Sequence, residues 1–64
     1  MNIEKTVDTI ERLIEGVSNL YQTADVKDFV GENNEHTAYY NFRGCLSEAM
    51  SNLREAATVV SSLY

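Results

Sequence analysis

Thirteen residues, Asn33 to Cys45 (NNEHTAYYNFRGC), hold the only histidine, the only cysteine, two of the four tyrosines and one of the three arginines. Two chemistries would use such a set: a cysteine nucleophile with a histidine base, or a metal held by both. Neither fits the spacing. His36 and Cys45 are nine residues apart, about 13 Å along a helix, beyond the reach of a nucleophile to its base. One Cys and one His cannot supply the four ligands of a zinc site. Beside a hydrophobic stripe, Cys45 is expected to behave as a small buried apolar side chain.

A second set of chemical groups is Glu4, Asp8, Glu11 and Glu15, spaced 4, 3, 4. On a helix they form one acidic flank about 16 Å long. Carboxylate-bridged metal pairs in helical bundles also need Glu-x-x-His on facing helices. Here Glu32 and Glu35 precede His36 at the wrong distances. The acidic flank therefore reads as a solvated face, with Asp8 and Arg12 placed as an i, i+4 ion pair. No catalytic residue, metal ligand or cofactor site is assigned, and an enzyme is not expected.

Ten acids against five Lys and Arg give a net charge of −5. That balance disfavours direct nucleic-acid binding, which neutralises phosphates with basic side chains, and adhesion to anionic membranes. No apolar run approaches the roughly 20 residues of a membrane span. MNIEKTVDTIER shows no signal-peptide core, so a cytoplasmic protein is expected, and a lone cysteine fits a reducing compartment.

What must position these residues is helical. Proline is absent, which removes the strongest helix breaker. Ile3, Val7, Ile10, Ile14, Val17, Tyr21 and Ala24 step by 4, 3, 4, 3, 4, 3, a continuous heptad seam. It predicts a first helix over about 3–24, running on to 30 or breaking near Asp25 and restarting as a single turn. Asn2 is placed as its N-cap. Tyr39, Phe42, Leu46, Ala49, Leu53, Ala56, Val60 and Leu63 make a second seam, predicting a second helix over about 35–63. Between them, about 25–34, lies a joint. There Gly31 suits the left-handed position after a helix end, Phe29 and Val30 would cap the hairpin, and Asn33 or Asn34 would cap helix two. All 64 residues form a single domain, and its fold class is all-α: an antiparallel two-helix hairpin.

A hairpin of this length cannot cover its own apolar flanks. Leu13 and Leu20 lie beside the first seam; Cys45 and Val59 lie on one side of the second, and Met50, Ala57 and Tyr64 on the other. Full burial of a leucine-sized side chain stabilises by about 1.5–3 kcal/mol, so several left in water would forfeit most of a small domain's stability. The expected assembly is a homodimeric four-helix bundle, or a higher helical oligomer, with Leu13, Leu20, Met50, Ala57, Val59 and Tyr64 at the interface.

For function these features point to a non-enzymatic adaptor, inhibitor or regulator that binds another protein. His36, Tyr40, Asn41 and Arg43, expected to point outward, form the recognition patch, since aromatic and Arg side chains concentrate in interface hot spots. Small residues at Gly44, Ser47 and Ser51 offer a second docking surface. One alternative is an acidic mimic of nucleic acid built on Glu4, Asp8, Glu11 and Glu15. Another is a small-ligand sequestering protein with a pocket at the subunit junction, lined by Tyr40, Arg43 and Tyr64.

Overall fold

Six of the seven apolar positions of the first heptad seam, Ile3 to Tyr21, lie on one side of a continuous helix, α1, Ile3–Thr23, and the seventh, Ala24, caps its end. A computed structural model describes residues 1–29 and 35–63 of the chain. Asn2 starts α1 from extended backbone, and its side-chain carbonyl accepts the Lys5 N–H at 3.0 Å. That bond satisfies one of the donors left open at a helix start. Asn2→Ala is expected to cost about 1 kcal/mol, read as a fall in thermal midpoint with no change in helical spectrum below the transition.

α1 stops where local side chains offer the backbone other partners. The last helical bond runs from the Ala24 N–H to the Leu20 carbonyl, and Ala24 itself is extended. Asp25 then donates its N–H to the Asp28 carboxylate at 2.9 Å, while the Asp25 carboxylate accepts the Lys27 N–H at 3.1 Å. These bonds hold a single 3-10 turn, Val26–Phe29. Gly31, Val30, Asn33 and Asn34, assigned above to the joint and the second cap, lie outside the described residues, as does Tyr64.

The second helix, α2, spans Glu35–Ser61. The helices pack side by side, and the 3-10 turn lies against α2. Phe29 sets its ring 6.1 Å from Tyr39 and 5.6 Å from Phe42, centroid to centroid, in the tilted geometries aromatic pairs favour. The fold is therefore an all-helical hairpin, a rod of 49 × 15 × 15 Å.

The inner face of α2 differs from the seam predicted for it. Tyr39, Leu46, Leu53 and Val60 are half-buried, but the alternating positions between them are Arg43, Met50 and Ala57, not Phe42 and Ala56. Phe42 is 36% exposed, and Ala56 and Leu63 are exposed; Ala49 is half-buried at the edge. A heptad step from 39 to 46 passes equally well through 42 or 43, so spacing alone does not choose between them. Phe29 draws Phe42 to the joint, and Arg43 takes the inner place over Tyr21. Met50 and Ala57, expected at an oligomer interface, turn inward for the same reason. Leu13, Leu20 and Val59 are each more than half exposed.

No described residue is fully buried. The radius of gyration is 15.0 Å, against about 10.7 Å for a compact domain of this length. The accessible surface is 4929 Å², roughly 800 Å² more than a compact monomer of the same mass presents.

Candidate functional site

The residues of NNEHTAYYNFRGC that the structure describes divide between the inside and the outside of the hairpin. Arg43 was expected to point outward. Instead its guanidinium carbon lies 4.0 Å from the centre of the Tyr21 ring and 5.5 Å from that of Tyr39. A guanidinium over an aromatic face is attracted by the ring's quadrupole, and its planar, weakly hydrated form suits that place. Its stem packs along the inner face, and among the described residues its buried Nε has no hydrogen-bond partner. Arg43 thus bridges the two helices just below the joint.

His36, Tyr40 and Asn41 are exposed, Tyr40 by 66%. The Tyr40 ring stands 5.3 Å from Tyr39, so Arg43, Tyr39 and Tyr40 form one cluster open to solvent at Tyr40. What can recognise a partner here is an aromatic ring backed by a second ring and a cation, flanked by an imidazole and an amide. The cluster holds no nucleophile–base pair. Cys45, expected to be buried, is a free and exposed thiol, because position 45 lies outside the inner face.

The acidic flank is fully displayed. Glu4, Asp8, Glu11 and Glu15 are all exposed, and Asp8 bonds Arg12 at 3.0 Å with both side chains largely in water. Such a pair contributes about 0.3–0.5 kcal/mol at most. An open groove along the first turns of α1 is lined by Asn2, Glu4, Lys5, Val7, Asp8 and Glu11. Among the described residues no cluster of His, Cys, Asp and Glu has the geometry of a metal site, and no helix is long and apolar enough to cross a membrane.

Of the second docking surface, Gly44, Ser47 and Ser51 are exposed, and nothing lies within 4 Å of a Cβ placed on Gly44. Gly44→Ala is therefore expected to stabilise the chain by about 1 kcal/mol, the helix-propensity difference. A thermal midpoint higher by roughly 4–8 °C would register it.

Of the residues expected to line a pocket at the subunit junction, Arg43 lies over Tyr21 and Tyr39, Tyr40 is exposed, and Tyr64 is outside the described residues. The cluster that does form was hidden from sequence inspection because Tyr21 comes from α1. The available signal was a charged residue one step from the predicted seam, next to three aromatics. No family model, curated protein or solved structure matches this chain.

Proposed function

We propose that this chain is a small, acidic, non-enzymatic hairpin that assembles with copies of itself and acts by binding another protein, as an adaptor, inhibitor or regulator in the cytoplasm. One observation carries the self-assembly: the described residues include no buried core, while Leu13, Leu20, Val59 and Leu63 stand in water. A chain of 64 residues so arranged gains most of its missing burial from a partner chain. The recognition patch on this reading is His36, Tyr40 and Asn41, with Arg43 holding Tyr21 and Tyr39 behind it.

Light scattering at low micromolar concentration tests the assembly, and a folded, stable monomer would remove it. For the patch, the variant Tyr40→Ala should keep the oligomer and lose the protein captured by wild type from its own cells. Capture unchanged by Tyr40→Ala and by His36→Ala would place recognition elsewhere.

A second reading is supported by the acidic flank, whose four carboxylates lie exposed on one side of α1. A protein presenting such a row could occupy a nucleic-acid-binding protein. Binding weakened steeply by salt and abolished by Lys at Glu4, Asp8, Glu11 and Glu15 would favour it over the patch.

A further inference from the structure

Turn α2 by about 100° from its inner face and a second heptad stripe appears, at positions 38, 42, 45, 49, 52, 56, 59 and 63. Every residue on it is apolar or small except Asn52, and none is charged. The matching stripe of α1, at positions 2, 6, 9, 13, 16, 20 and 23, carries Leu13 and Leu20 and also no charge. Its three threonines turn their hydroxyls back into the helix: Thr6 to the Asn2 carbonyl, Thr9 to that of Lys5 and Thr23 to that of Asn19, at 2.8–2.9 Å. Because the helices are antiparallel, the two stripes fall on the same broad side of the hairpin. The chain is 23% charged, yet neither stripe carries a charge, and the charges nearest them, Lys5, Arg12 and Glu48, lie at their edges, while Glu4, Asp8, Glu11 and Glu15 occupy the opposite side.

We infer that the side bearing these two uncharged stripes is a homodimer interface in which α2 pairs antiparallel with α2 of a second copy, about a twofold axis passing between Ala49 and Asn52. The inference rests on the self-assembly proposed above and names its geometry. The stripe complements itself about that point. Phe42 meets Val59 of the partner subunit, Cys45 meets Ala56 of the partner subunit, Ala38 meets Leu63 of the partner subunit, and Ala49 meets Asn52 of the partner subunit. Large side chains sit at the ends and small ones in the middle, so the backbones come close where they cross. The two Asn52 amides lie within about 5 Å of one another along the axis, where they can hydrogen-bond and fix the register, the use best attested for a lone Asn in a heptad seam.

α1 has its centre at the same height. Counting away from the Tyr21–Arg43 contact at equal rise on both helices, residues 50–51 of α2 lie level with about residue 13 of α1. Leu13 then meets Leu13 of the partner subunit, and Leu20 faces Thr6 of the partner subunit. One axis satisfies both helices and makes a four-helix bundle with every neighbouring pair antiparallel. The area agrees: the surplus of roughly 800 Å² per chain is the share each partner buries in an interface of standard size. His36, Tyr40 and the acidic flank stay outside the join, and Asn41 lies at its edge.

The test is disulfide trapping combined with light scattering on the full chain. In Ala56→Cys, Cys45 and the new thiol are about 16 Å apart within one helix and cannot join internally, whereas across the axis they face each other. Mild oxidation should convert this variant to a covalent dimer at least tenfold faster than wild type or Thr58→Cys, whose added thiol lies on the opposite side. A dimer by light scattering in which wild-type Cys45 links to itself, or Ala56→Cys links no faster than Thr58→Cys, overturns this pairing and leaves self-assembly standing. A wild-type monomer at tens of micromolar overturns both.

Discussion

Ala56→Glu is expected to dissolve the proposed twofold dimer and, with it, most of the fold. In an isolated hairpin the change is nearly silent: Ala56 is exposed, and glutamate at such a helix position costs a few tenths of a kcal/mol. In the twofold bundle the same carboxylate enters a dry seam opposite Cys45, once on each side of the axis. An unpaired charge placed in an apolar interface costs several kcal/mol. Two of them should weaken association by about a thousandfold or more, at 1.4 kcal/mol per factor of ten. Sedimentation equilibrium at low micromolar concentration measures the shift, and far-ultraviolet dichroism should show helix lost in parallel. A thermal midpoint within a degree or two of wild type, independent of dilution, would mean that position 56 faces water in the working protein.

Arg43→Met should raise stability, by about 1–2 kcal/mol, or roughly 5–10 °C in thermal midpoint. The sign follows from two opposing contributions. Contact of the guanidinium with Tyr21 contributes about 0.5–1 kcal/mol at a partly exposed site. Against it stand the buried Nε, which lacks a partner among the described residues and costs about 1–3 kcal/mol, and a charge held on an otherwise uncharged inner face. Methionine keeps a long flexible stem beside Tyr21 and removes both penalties. Arg43→Ala should move the midpoint the other way, because the stem's packing is lost with the charge. If the patch at Tyr40 is the recognition site, the stabilised Met variant should also bind its partner less well, since the cation behind the rings is gone. Stability gained and binding lost in one variant is the pattern of a residue kept for function at a cost to the fold.

The two helices and their order were legible in the chain because a heptad repeat without proline admits few other structures. Ile3 to Ala24 is such a repeat, and each of its seven apolar residues is half-buried in the hairpin. The start at Asn2 was legible too, since the side chain that caps a helix belongs to the residue preceding it. The end at Thr23 was only partly so: Asp25 and Asp28 bond the backbone in a turn whose competition with helix is decided by geometry, not by residue type.

What sequence could not decide was rotation. Spacing allows either 42 or 43, 49 or 50, and 56 or 57 to continue the seam; hydrophobicity favoured Phe42 over Arg43 and could not choose between Ala56 and Ala57. Contacts made by other elements settled it: Phe29 from the turn takes Phe42, and Tyr21 from α1 takes Arg43. That rotation by half a step turned Met50 and Ala57 inward and left Cys45, Ala56 and Val59 on the open side. Local spacing determines that a helix has an apolar face; which of two nearly equal faces meets the neighbouring helix depends on side chains far away in the chain, and only tertiary packing brings those together.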